Sequence, residues 1–337
     1  MIFSSQILLH GLVALSFITS SVGHPDTPIS TLFQFGQGSW LENLAIGPSN
    51  SILATRLDIP ALYQITLPPA VQKPSAKLIQ MFPGATGALG ITEYKKNQFL
   101  VILGNYSIPE AKDFPGTYSV WDVSFSGHDL GHVSAKKVTD IPEAIFPNGM
   151  TTLNPLTGTV LIADSWAGLV YRLCPETGER EVVHDDVTMK PPAGTSLGVN
   201  GIHVITICEE TFLYYTNSLK ETLGRVRIDP ISGRAIGPYN TLTTGVWGDD
   251  FAYDTKTGDI YIAGNFANVI TRVNQDGVKE EVIGSPSQLT VAGTTSAVFG
   301  GKGKRTLYAV TSGALASPVN GTVTEGAKLV AIEVDEI

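Results

Sequence analysis

The sequence predicts an all-β fold, a six-bladed β-propeller closed by its own N-terminal strand, and three observations predict it. A motif recurs with a period of roughly 50 residues. Short apolar runs alternate with turn residues along the chain, as many short strands require. No stretch carries the 3.6-residue periodicity of a helix. The clearest copies are Asn148-Gly-Met-Thr-Thr-Leu leading to Val160-Leu-Ile-Ala-Asp-Ser, and Asn200-Gly-Ile-His-Val-Ile leading to Leu213-Tyr-Tyr-Thr-Asn-Ser. They continue to the turns Pro175-Glu-Thr-Gly and Asp229-Pro-Ile-Ser-Gly. A third copy starts at Asp249-Asp-Phe-Ala-Tyr-Asp and reaches Ile260-Tyr-Ile-Ala-Gly-Asn.

Weaker copies lead from Glu42, Gly87 and Ser296, so six repeats begin at positions 42, 87, 148, 200, 249 and 296. Thr31-Leu-Phe-Gln-Phe precedes the first and is expected to pair with the last, hiding sheet edges that would otherwise be exposed. With 35 glycines and 20 prolines the composition suits tight turns, and 337 residues fit one toroidal domain, residues 24–337. Only 16% of residues are charged, the net charge is −9 and no Lys/Arg cluster occurs, which argues against a nucleic-acid partner.

Residues 1–23 read as a signal peptide: the apolar run Ile7 to Ile18 is short for a membrane span and ends in Ser21-Val22-Gly23. Secretion, or residence in the secretory lumen without a stable membrane anchor, is therefore expected. The sequons Asn105-Tyr-Ser and Asn320-Gly-Thr fit glycosylation on that route. Cys174 and Cys208 are the only cysteines. They fall in successive repeats and could form an inter-blade bridge or remain free thiols.

In a propeller each leading residue enters the innermost strand, so Glu42, Asn148, Asn200 and Asp249 converge at one mouth of the channel, with Gly87 and Ser296 in the other sectors. A second ring is expected from Arg56, Asn105, Asp164 with Trp166, Asn217, Asn265 with Phe266, and Ser312. Two carboxylates and two amide carbonyls make a hard-oxygen site suited to a divalent cation such as Ca²⁺. Asn-Gly and Asp-Asp pairs also open strands as turn formers, a reading that accounts poorly for Glu42. Trp40, Phe146, Trp166, Trp247 and Phe266 add apolar walls, with Arg56 beside them, and favour a small hydrophobic substrate. His203, three residues past Asn200, is the histidine able to face the channel, as a candidate catalytic group or as a hydrogen-bonded core residue. No Gly-x-Ser-x-Gly elbow is present, against a serine hydrolase.

The succession Trp40-Leu-Glu42-Asn, Phe146-Pro-Asn148-Gly, Val199-Asn200-Gly-Ile and Gly248-Asp249-Asp-Phe resembles the gluconolactonase/regucalcin family of six-bladed propellers. That resemblance implies one divalent cation on Glu42, Asn148, Asn200 and Asp249, with Asp249 as general base if the chain is a hydrolase of lactones or esters. Sugar-lactone enzymes of the family carry an Arg just before the first metal Asn, where this chain has Phe146-Pro147. The secretion signal and the opening Trp-Leu-Glu-Asn are similar to a fungal branch working in secondary metabolism. Some of its members are hetero-Diels–Alderases, which join a quinone-methide-like tropolone to a terpene. The expectation is such a cyclase, with a cation dispensable for catalysis; the alternatives are a Ca²⁺-dependent hydrolase and a non-catalytic ligand-binding propeller.

Overall fold

The computed structural model describes residues 29–67, 73–128 and 130–334, so the expected signal peptide lies outside them. Each repeat folds into a four-stranded antiparallel sheet, and the six sheets cover residues 41–81, 87–140, 147–184, 199–244, 251–284 and 294–333. The innermost strands are Leu41–Ile46, Gly87–Lys95, Pro147–Asn154, Val199–Ile207, Phe251–Tyr253 and Thr294–Gly300. The sixth sheet borrows its outermost strand, Ile29–Gln37, from the N-terminus, and this strand pairs antiparallel with Gly326–Glu333. First and last strands thus share one blade and close the ring.

Burial follows position in the blade. The second strand of the third blade, Thr159–Asp164, is buried at every residue because neighbouring blades cover both of its faces. The outermost strand of the second blade, His132–Asp140, mixes half-buried and exposed residues. The core therefore lies between blades rather than within one sheet. One cluster joins Leu100, Ile102 and Tyr118 of the second blade to Met150, Ile162 and Tyr171 of the third. Another joins Leu161, Ala163 and Val170 of the third to Leu213, Tyr215 and Val226 of the fourth.

A recurrent bulge shapes the axis. In the first blade Leu41 pairs with Arg56 and Leu44 with Ala54, leaving one residue too many on the inner strand. The same irregularity follows Ala88, Pro147, Val199 and Thr294. A bulge bends its strand and turns consecutive side chains toward new directions, here two per blade into the channel. Three of the second-tier positions are Gly90, Gly149 and Gly201. A Cβ on them would lie 2.1 Å from the Asn148 carbonyl oxygen, 2.3 Å from that of Asn200 and 2.3 Å from Asp250 Oδ1. The axis is narrow there because glycine lets the strands approach.

Candidate functional site at the channel mouth

The bulges define the inner ring by register. Residues in the place of Glu42 are Leu89, Asn148, Asn200, Asp249 and Thr295. The four expected donors are thus equivalent, whereas Gly87 stands two residues early and Ser296 one residue late. Ser296 belongs to the second tier with Asn43 and Asp250. The outer ring shifts similarly: Arg56, Asp164 and Asn217 pair directly with the inner strands at Leu41, Pro147 and Val199, and the next residues, Leu57, Ser165 and Ser218, take the positions matching Asn265 and Ser312. A slip of one residue changes the face of a strand residue, and it assigns Asp164 and Asn217 to other work. Asp164 caps the N–H groups of Ile145, Phe146 and Ala167. Asn217 clamps the carbonyls of Thr188 and Lys190.

Glu42 and Asp249 are the acids of the inner ring, and both are buried. Asn200 Nδ2 donates to Asp249 Oδ1 at 2.8 Å and Asn265 Nδ2 to its Oδ2 at 3.0 Å. Ser312 supports Asn265 by donating to Oδ1 at 3.0 Å. Glu42 accepts hydrogen bonds from the Trp40 indole N–H and from Asn148. Burial dominates these donors and pushes the Glu42 carboxyl up to about 7. Burial, followed by the charge of Glu42, holds Asp249 well above the carboxylate range. Two desolvated acids that repel each other form a proton-holding pair.

The donor set fits a hard divalent cation in type and in charge, since carboxylates and amide carbonyls are its preferred ligands and a carboxylate has acceptor sites beyond those its N–H donors use. Glu42, Asn148, Asn200 and Asp249 are the residues that would hold it. Among the described residues no group of three or more His, Cys, Asp and Glu side chains is gathered as a metal site.

Aromatic residues stand over the second and third sectors. Trp40, Leu89 and Phe146 are buried in one cluster, with Tyr106, Ile108, Trp166 and Leu315 packed on it half-buried. The Phe146 ring lies 5.1 Å from Tyr106 and 5.7 Å from Trp166, both tilted. Trp247 pairs separately with exposed Phe266 at 4.5 Å. Arg56 is not part of either group: Asp58 holds its guanidinium, which lies over Phe35 at 5.0 Å and Tyr63 at 5.7 Å. Tyr106, Leu89 and Leu315 escaped the sequence reading. Leu89 could have been found by phasing the second repeat on Leu-Gly rather than on Gly87, whereas Tyr106 comes from an insertion with no counterpart in other repeats.

The structure separates His203 from Asp249. Three residues at about 3.3 Å each carry it roughly 10 Å down the inner strand. There Nε2 lies 3.0 Å from Asp250 Oδ1, and the ring stands edge-on to Phe251 at 4.6 Å. Asp250 also accepts from Asn43 Nδ2 at 3.0 Å and Ser296 Oγ at 3.1 Å. Asn43, His203, Asp250 and Ser296 line a cavity of about 610 Å³ that runs along the inner strands, with Met150 and Val298. Cys174 and Cys208 are both free thiols. Asn320 sits on an exposed turn, while Asn105 is half-buried with its Oδ1 enclosed.

Fold and mouth together define a class: a six-bladed propeller with a buried acid–amide ring at one end of its channel and aromatic residues above it. No family model matches the chain. It is similar to a provisionally named hetero-Diels-Alderase of a Phoma species, 25% identical over an alignment of length 322, which covers 86% of this chain and 88% of the relative. A second provisionally named hetero-Diels-Alderase, from Sarocladium schorii, is 24% identical over an alignment of length 308, which covers 81% of this chain and 75% of the relative. Among solved structures, a luciferin-regenerating enzyme aligns with TM-score 0.64 at 12% identity, covering 91% of this chain and 95% of its own. Regucalcin from Agrobacterium tumefaciens, a calcium-binding protein, gives 0.58 at 17% with the same coverage. These structures share the propeller fold.

Proposed function

We propose that the chain is a secreted biosynthetic enzyme of secondary metabolism that catalyses a hetero-Diels–Alder-type cyclisation. Its substrates would be a quinone-methide- or tropolone-like polyketide and a terpene alkene. The observation that carries this reading is the continuous aromatic group Trp40, Tyr106, Phe146 and Trp166 beside the buried Glu42–Asp249 pair. The names of the two relatives point the same way.

The reaction needs no nucleophile. The oxygen and the exocyclic carbon of the quinone methide add across the alkene. One C–O and one C–C bond form, the π bonds reorganise, and nothing leaves. What a protein supplies is encounter in a near-attack geometry, worth several kcal/mol when both partners are held, and polarisation of the carbonyl. Aromatic faces hold flat apolar partners at ~25 cal/mol per Å² of surface removed from water. A divalent cation on Glu42, Asn148, Asn200 and Asp249, Ca²⁺ by donor type, would neutralise the two acids and offer a Lewis-acidic contact to a substrate oxygen.

The test is incubation of the protein with a tropolone quinone methide generated in place and a macrocyclic terpene. The expected result is one stereoisomer formed faster than the uncatalysed mixture, with turnover largely surviving EDTA. An adduct distribution identical to the protein-free control would reject the reading. The acid–amide ring favours a second reading, a Ca²⁺-dependent lactone or ester hydrolase with Asp249 as general base; lactone hydrolysis abolished by both EDTA and Asp249→Ala would decide for it.

A further inference from the structure

The aromatic group at the mouth contains a hydrogen-bonding atom that no atom of the described residues uses. Tyr106 opens a small hairpin inserted into the second blade, in which Tyr106–Ser107 pairs with Lys112–Asp113. Its backbone is pinned. The Tyr106 N–H donates to Thr86 Oγ1 at 2.9 Å, and the Thr86 hydroxyl donates to the Tyr106 carbonyl at 3.2 Å. Its ring rests against Phe146 at 5.1 Å. The ring is therefore fixed by main chain and packing, while its hydroxyl has no hydrogen-bond partner among the described residues.

Neighbouring donors are spent or lie elsewhere. The Trp40 indole N–H is taken by Glu42, and the Tyr118 hydroxyl points to the Asn105 carbonyl at 3.4 Å. Among the described residues the Trp166 indole N–H is also unclaimed, but its ring packs against Phe146 and makes no ring contact with Tyr106. A phenylalanine would pack at position 106 equally well. A half-buried tyrosine in such a wall keeps a polar tip that ordinarily finds a partner, and here the phenol lies within electrostatic reach of Glu42 in the inner ring.

We propose that Tyr106 is the residue that recognises an acceptor oxygen on the ligand, and that the ligand class is a planar conjugated ketone lying along Phe146 and Trp166. The hydroxyl donates to the ketone oxygen while the rings cover its flat faces. This rests on reading the mouth as an apolar-substrate site. In a cycloaddition the same bond draws electron density from the heterodiene, so Tyr106 is then a catalytic as well as a specificity residue.

The probes are tropone, a seven-membered conjugated ketone, and cycloheptatriene, a hydrocarbon with the same ring size. Binding is followed by quenching of tryptophan fluorescence in wild type and Tyr106→Phe, whose matching thermal midpoints verify folding. Loss of one neutral hydrogen bond predicts tropone binding weakened about 5- to 10-fold with cycloheptatriene unchanged. Equal losses for both probes, no loss for either, or no tropone binding by wild type would each overturn the proposal. Turnover is scored separately: selective tropone loss without any cycloaddition supports Tyr106 as the ketone-binding residue and counts against the cyclase.

Discussion

Asn200, at the entry of the fourth blade, donates its side-chain amide to Asp249 of the fifth at 2.8 Å and to Ser218 of its own blade at 3.0 Å. One amide group thus ties a buried acid to the scaffold of the neighbouring sheet. Ser218 passes the connection on by donating to the Gly248 carbonyl at 2.7 Å, directly before the acid. Blade contact and site geometry are the same set of bonds at this point.

Removing that amide leaves a buried acceptor short of a donor. Asn200→Ala is expected to cost about 1–3 kcal/mol of unfolding free energy, read from urea titration. Asn200→Asp is expected to cost more in EDTA, because it adds a third buried acid to the Glu42–Asp249 pair, and to regain more than Asn200→Ala does in millimolar CaCl₂. An Asn200→Asp protein as stable as wild type in EDTA would refute the concentration of charge at this mouth.

The acid pair sets a pH dependence with a definite sign. Burial raises Glu42 from 4.5 to about 7, and Asp249 moves in the same direction. Between those values Glu42 holds a proton in the folded protein that the unfolded chain has released, so its contribution to stability falls as pH rises through the window. Glu42→Gln should flatten this decline. Denaturation midpoints at pH 5, 6, 7 and 8 in EDTA would show it.

His184 acts in the opposite sense. Burial pushes its imidazole down to about 4 from 6.5, and its Nδ1 lies 2.8 Å from the Tyr239 hydroxyl. The unfolded chain here binds the extra proton, so this contribution grows as pH rises from about 4 to 6.5. By linkage it is on the order of 3 kcal/mol. His184→Gln should lose most of that slope while leaving the decline due to Glu42, and the difference between the two variants' pH profiles separates the sources.

Gly201 tests the narrowing of the axis. An added Cβ would sit 2.5 Å from Asp250 Cα and 2.3 Å from its Oδ1. Backbone cannot move aside there without parting the fourth and fifth blades. Gly201→Ala should therefore destabilise by about 1–3 kcal/mol or more. Gly194→Ala, where nothing stands within 4 Å but φ is +79°, is expected to cost less, and thermal melts of the two variants rank them.

Much of this was legible in the residues. The Asn148 and Asn200 repeats, with Asp249 after them, establish the period, and the period establishes six blades and the convergence of Glu42, Asn148, Asn200 and Asp249. The divergent repeats were harder to phase. A bulge adds one residue without altering the apolar run that follows it, so Gly87 and Ser296 looked like entries although Leu89 and Thr295 hold those positions. The same single-residue ambiguity placed Asp164 and Asn217 in the outer ring instead of Ser165 and Ser218. His203 looked axial and is axial, but it meets Asp250 of the second tier instead of Asp249 of the inner ring. Tyr106 lies in an insertion, and a non-repeated segment carries no register from its neighbours.

Trp40 joins the two characters of the mouth, since its ring belongs to the apolar cluster and its N–H to the acid. Trp40→Phe keeps most of the apolar wall and deletes the donor. That hydrogen bond lowers the Glu42 carboxyl against the larger effect of burial, so losing it should raise the carboxyl further. The upper limit of the decline due to Glu42 should then move from about pH 7 toward higher pH, by about one unit for a bond of ordinary strength. Trp40→Phe in a Glu42→Gln background should shift nothing, because the carboxylate that the indole N–H bonds is gone and Asp249 has other donors. A shift that persists in the double variant would assign the effect to packing around Leu57 and Leu89 rather than to the indole–carboxylate bond.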